Sequence, residues 1–181
     1  MTELLRAANG GDESASHRLF TLLYAELKRL AHASLRRSGG SVELDTTALV
    51  HESFLRLAGQ AGYTPADKRA FYAYVSKVMR SVVLDAVRER LARKRGGDQL
   101  FVTLSTAAGL QPVAGAELIA IDDALDTLGN LAPDLKELVE MRYFGGLTVE
   151  EVGEVLGKSA RTVQREWEKG RTLLRRLIEE A

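Results

Sequence analysis

Apolar residues in this chain recur at intervals of three and four almost from end to end, and no segment alternates convincingly as a strand would. That period belongs to helices with one buried face, so the expected fold class is all-α. Residues 13–36 place Leu19, Phe20, Leu22, Leu23, Leu27, Leu30 and Leu35 at such spacings, and Gly39-Gly40 follows as a stop. A second helix is expected from about Thr46 to Ala58, with Leu49, Val50, Phe54 and Leu57 on one side and Gly59, Gly62 and Pro65 as breakers. Asp67 can cap a long third helix to about Arg95, on which Phe71 and Tyr74 share the apolar face with Val75, Val78 and Val82.

From Gly96 to about Gly115 the periodicity fades into Gly, Ser, Thr, Ala and Gln. This stretch is expected to be a flexible linker, giving two small helical domains, 1–95 and 117–181, joined by residues 96–116. Helices resume near Glu117 and run to about Leu128. Pro133 suits the first turn of the next helix, which Gly145-Gly146 ends. Thr148-Val-Glu-Glu151 has the form of a capping box, Gly157-Lys158 that of a short turn, and Ser159 can cap a last helix with Val163, Trp167, Leu174, Leu177 and Ile178 inward.

A short helix, a glycine turn and a capped second helix make a helix-turn-helix. The N-terminal end of the second helix enters the major groove in that motif, and here it offers Arg161, Thr162, Gln164, Arg165 and Lys169. Arginine and glutamine can read purine edges with two hydrogen bonds each, while Lys169 and Arg171 are placed for phosphates. A plain helical hairpin with basic solubilising residues is the alternative.

Charge adds to this. The chain is neutral overall, yet segments 77–95 and 158–176 each hold seven basic and two acidic residues, and 98–157 holds two basic and eleven acidic. Two cationic segments suit a partner that presents phosphates in two places, although each could also be the solvated face of a long helix. The acidic stretch could fold back on the cationic helices, but opposite charges in one chain are weak evidence for contact.

The segment 128–177, with Leu131-Ala-Pro133, Met141-Arg-Tyr-Phe-Gly-Gly-Leu-Thr148, Glu151-Val-Gly-Glu-Val-Leu-Gly157 and Ser159-Ala-Arg-Thr-Val163, resembles region four of extracytoplasmic-function (ECF) sigma factors. Leu49-Val-His-Glu-Ser-Phe-Leu-Arg-Leu57 resembles the polymerase-binding helix of region two, and 71–85 its minus-ten helix. Both regions occur in the family order, separated by a linker. The resemblance implies a non-enzymatic factor that directs core RNA polymerase to promoter DNA. Leu49, Val50, Glu52, Ser53 and Arg56 would meet the clamp helices of the largest polymerase subunit, and the last domain would touch the flap and the minus-thirty-five element. Arg80, Ser81, Arg88, Arg93, Lys94 and Arg95 would hold the opened strand, which requires a cationic, partly aromatic surface; Tyr72 and Tyr74 lie on the same helix. Ser81 stands where the family often has Asn.

One departure concerns the start of the polymerase-binding helix, where the family usually carries acidic residues just before Leu-Val. Here Asp45-Thr46-Thr47-Ala48 precedes Leu49. Phosphorylation of Thr46 or Thr47 by a Ser/Thr kinase would restore negative charge at a helix start, where unpaired amides favour it. Alternatively one of the two threonines is simply the N-cap. An anti-sigma factor is a further candidate partner.

Other classes find little support. No cysteine is present, and His17, His32 and His51 lack paired metal-ligand spacing, so neither metal nor cofactor is expected. No nucleophile sits with a base. The N-terminus lacks a signal pattern and no apolar run reaches membrane-spanning length, so a cytoplasmic location is expected. Two rival functions remain: a helix-turn-helix regulator acting without polymerase recruitment, and a family member that titrates polymerase without starting transcription.

Overall fold

The computed structural model describes residues 11–37, 45–59, 67–94 and 115–180, together with Glu3 and Ala7. The helices are α1 (Glu13–Arg37), α2 (Thr46–Gly59), α3 (Lys68–Lys94), α4 (Gly115–Leu131), α5 (Pro133–Tyr143), α6 (Val149–Leu156) and α7 (Ala160–Glu179), and no strand occurs among the described residues. The fold is all-α. The stop at Gly39-Gly40, the breakers Gly62 and Pro65, and nearly all of the expected linker lie outside the described residues.

Helix starts are set by single side chains. Asp12, Asp45 and Asp67 each accept from the amide three residues on, at Ala15 (3.0 Å), Ala48 (2.7 Å) and Ala70 (2.7 Å). An aspartate there satisfies an amide that the helix leaves unpaired and meets the positive end of its dipole. Pro133 occupies the start of α5, where a missing N–H costs nothing. Helix α4 begins at Gly115, slightly earlier than the periodicity predicts.

Helix α3 is the centre of the molecule. Phe71, Val75, Val78, Met79, Val82 and Val83 are buried, and Tyr72, Ser76 and Arg80 are buried as well, so more than one face is covered. A helix enclosed this way has neighbours on several sides: α2 packs on it from one direction, and α4, α5 and α6 from others. The buried residues of α1–α3 and of α4–α7 form one continuous apolar cluster. The two helix groups expected as separate domains are therefore packed against each other. Within the second group α7 lies on α4, α5 and α6, and Gly170 allows its approach to α5, since a Cβ there would lie 2.6 Å from Val139 Cγ2. Leu22, expected on the apolar face of α1, is exposed. No described helix is long and apolar enough to cross a membrane.

Candidate nucleic-acid and polymerase interfaces

The hairpin α6–α7 is built as its sequence demands. Thr148 Oγ1 accepts from Glu151 N (3.2 Å) while Glu151 Oε2 accepts from Thr148 N (2.7 Å), closing the capping box. Gly157 ends α6 at φ +66, a left-handed conformation that glycine adopts without a Cβ penalty. Ser159 Oγ then accepts from Thr162 N (3.1 Å) and pairs with the Thr162 hydroxyl (2.9 Å), starting α7. Val163 and Trp167 are buried and fix the roll of α7. Arg142 stacks over the Trp167 ring, 5.3 Å from its centroid, and donates to the Leu147 carbonyl (2.7 Å). Burial pushes its guanidinium below the ordinary arginine value.

With the inner face so fixed, Arg161, Gln164, Arg165 and Lys169 are exposed on the outer one. Gln164 Nε2 donates to Glu168 (2.9 Å). Among the described residues nothing engages the charged groups of Arg161, Arg165 or Lys169. Thr162 is half-buried and its hydroxyl is taken up by the cap.

The α3 candidates sit differently. Arg80 Nε donates to Asp122 Oδ1 (2.6 Å), Nη1 to Glu140 Oε1 (2.6 Å), and Nη2 to Asp126 Oδ1 (2.8 Å) and the Asp122 carbonyl (2.9 Å). The residue is 8% exposed. Burial opposes its charge, but the hydrogen bonds it donates to Asp126, Glu140 and Asp122 outweigh that and hold its pKa above the ordinary value. Arg88 reaches the other oxygen of Asp122 (3.0 Å), and Lys136 reaches Asp126 (2.9 Å). The expectation that Arg80 is presented to DNA thus differs from its place here, inside a charged cluster between α3, α4 and α5. Ser81 is exposed but accepts from Arg56 Nη1 (2.6 Å). Phe71 is core, as its face predicts; Tyr72 is core too, its hydroxyl donating to Glu26 (2.7 Å). The side chains of Arg93 and Lys94, and the whole of Arg95, lie outside the described residues.

On α2 the expected polymerase-binding residues divide between two faces. Leu49, Val50 and Ser53 are buried, because they fall on the same side as Phe54, toward the core. Ala48, His51 and Leu55 are exposed, Leu55 at 64%, with Glu52 and Arg56 half-buried beside them. His51 and Leu55 were legible as an exposed pair four residues apart, since both fall off the apolar stripe. Arg56 donates to Glu52 (3.1 Å) and Asp85 (2.9 Å) as well as Ser81, bracing α2 against α3. Asp45 takes the N-cap, so neither Thr46 nor Thr47 does; Thr47 is exposed and Thr46 half-buried. No group of His, Asp and Glu able to hold a metal occurs among the described residues.

The family described as ECF sigma factor matches residues 1–180 of the chain. The ECF RNA polymerase sigma factor BldN of Streptomyces coelicolor is 25% identical over 182 residues, a match that covers all of this chain and 67% of that protein. No solved structure matches.

Proposed function

The chain belongs to the ECF sigma factor family, whose members direct RNA polymerase in transcription initiation and catalyse nothing themselves, and from that premise we propose how its surfaces divide the work. Helix α7 reads duplex promoter DNA through Arg161, Thr162, Gln164 and Arg165, with Lys169 on a phosphate. Helix α3 holds the opened strand with Arg80, Ser81 and Arg88, continued by Arg93, Lys94 and Arg95. Helix α2 docks on core polymerase through Glu52, Arg56, His51 and Leu55.

The observation that carries this reading is the outer face of α7. Its two arginines and Lys169 are unengaged, while a capped start and a buried tryptophan fix their direction. The helix is fixed while these side chains stay free to reach base edges and phosphates, which is what groove readout requires. The test is a pull-down with core RNA polymerase followed by runoff transcription, together with footprinting with and without polymerase. Specific protection only in the presence of polymerase is expected. Equal protection by the free protein would instead mark an autonomous regulator.

Phosphorylation of Thr47, or less accessibly Thr46, belongs to the same reading. Asp45 already caps α2, so the exposed Thr47 hydroxyl is not needed there. A phosphate would add about −1.5 to −2 charges beside the docking face. Polymerase affinity is expected to rise after treatment with a Ser/Thr kinase and to stay unchanged in a Thr46→Ala, Thr47→Ala variant; tight binding by the untreated double variant would end the idea.

A further inference from the structure

We propose that the acidic face of α4 and α5 is an internal stand-in for DNA phosphates, which occupies α3 in the free protein and must leave before a promoter strand can enter. The proposal rests on the reading of α3 as the strand-binding helix. A guanidinium presents its donors in a fixed planar fork that fits carboxylate and phosphate alike. On Arg80 that fork is filled by Asp122, Asp126 and Glu140, and Arg88 shares Asp122. These partners lie 34 to 60 residues away in sequence, so the contact belongs to the joining of the two helix groups and not to α3 itself.

The steric half of the contact is equally specific. The turn between α5 and α6 enters the space between α1 and α3. A Cβ on Gly145 would collide with Ser76 Oγ of α3, and one on Gly146, at φ +74, would lie 2.8 Å from the Leu30 carbonyl and 2.9 Å from Ala33 Cβ of α1. Phe144 and Leu147 on either side are buried. Further ion pairs cross the same boundary: Arg29 to Glu151 (3.0 Å), and Arg69 to Glu137 through two bonds (3.0 and 2.8 Å). The closed arrangement therefore combines an apolar plug with a charged latch. It covers Arg80 while the outer face of α7 stays exposed, so the free protein lacks half of the two-part grip on a promoter.

The test uses the full chain with Asp122→Asn, Asp126→Asn and Glu140→Gln combined, and folding is checked by circular dichroism. Small-angle scattering reads the radius of gyration, and fluorescence anisotropy reads binding of a labelled single-stranded oligonucleotide. A control with Asp123→Asn, Glu179→Gln and Glu180→Gln makes the same charge change away from the latch. Expected are a larger radius and at least about tenfold tighter oligonucleotide binding than the control, the order produced by freeing one or two phosphate contacts. A larger radius with no gain in binding means that α3 does not hold DNA, which overturns the strand-binding reading and the stand-in with it. An unchanged radius and binding, with strand opening by holoenzyme still lost on Arg80→Ala and Arg88→Ala, leaves that reading intact and overturns the latch.

Should the amide variant fail to fold, a second variant decides. The chain has no cysteine, so Arg69→Cys with Glu137→Cys, an ion pair that crosses the boundary at 2.8 Å, supplies its sole thiols, to be bridged by a reducible bis-maleimide. Holoenzyme assembled from the crosslinked protein is expected to lose runoff transcription at least tenfold and to regain it on reduction. Full activity in the crosslinked form would overturn the proposal.

Discussion

Segments 77–95 and 158–176 carry the same charges, seven basic and two acidic residues each, and meet opposite fates. In α3, Arg80 is enclosed by three carboxylates and Arg88 shares one of them. In α7, Arg161, Arg165 and Lys169 stand in solvent with nothing engaging them among the described residues. Formal charge thus does not tell whether a cation is available. That depends on what the rest of the chain lays over it, and here Asp122, Asp126 and Glu140 lie against α3 while the outer face of α7 is spared.

The sharpest way to break this comparison is to make one substitution in each segment. Arg80→Met leaves Glu140 and Asp122 buried without their main partner, and stranding one member of a buried pair costs about 3–5 kcal/mol. Arg165→Met removes an exposed charge and is expected to change stability by less than about 0.5 kcal/mol. Urea unfolding followed by circular dichroism reads both. Similar costs for the two would mean that the Arg80 cluster is open in solution and that the two segments are equivalent.

DNA binding by holoenzyme, measured on a promoter duplex, reads the exposed segment directly. Arg161→Ala and Arg165→Ala are each expected to weaken it by about 1–3 kcal/mol if they contact base edges. Lys169→Ala should lower affinity on every sequence alike and flatten the salt dependence by about one unit of slope. A loss for Lys169 confined to one promoter would move it from phosphate to base readout.

Acid sharpens the comparison by acting on the covered segment. In Asp126 and in Glu26 burial alone would raise the carboxyl pKa, but hydrogen bonds outweigh it, from Lys136 and Arg80 in the first and from Arg29 and Tyr72 in the second, and both carboxyls sit below their ordinary values. A carboxylate depressed in the folded state contributes stability above its unfolded value, and that contribution is lost as pH falls through the folded one. The thermal midpoint should therefore hold from pH 8 to 6 as far as these two groups are concerned, then fall below the ordinary values of 3.8 and 4.5. Calorimetry across that range checks it, and loss beginning near pH 6 would mean that groups other than these two set the acid limit.

How much of this could be read in advance follows from the range of each interaction. The starts at Asp67, Thr148 and Ser159 were legible because a cap joins a side chain to an amide three residues away. Asp45 was not singled out, since Asp45, Thr46 and Thr47 are all competent caps in a row. The inward turn of Leu49, Val50 and Ser53 follows from the periodicity, because they share the stripe with Phe54. The partners of Arg80 were illegible for a different reason. Asp122, Asp126 and Glu140 are ordinary acids on ordinary helices, and only the seating of Gly145 and Gly146 against α3 and α1 brings them to that arginine.

The smallest effect separates the centre of the contact from its edge. Lys68 of α3 meets Glu154 of α6 at 3.3 Å, crossing the same boundary as Arg80, but the side chains are 41% and 70% exposed. Water screens such a pair and both side chains lose freedom in making it, so Lys68→Ala should cost no more than about 0.5 kcal/mol. The contact is single and longer than the 2.6–2.9 Å bonds around Arg80, and water reaches both of its side chains. If Lys68→Ala cost as much as Arg80→Met, charge pairing itself would hold the helix groups together and burial would be incidental. The expected gap of several-fold would place the cohesion in the enclosed cluster and the glycine turn.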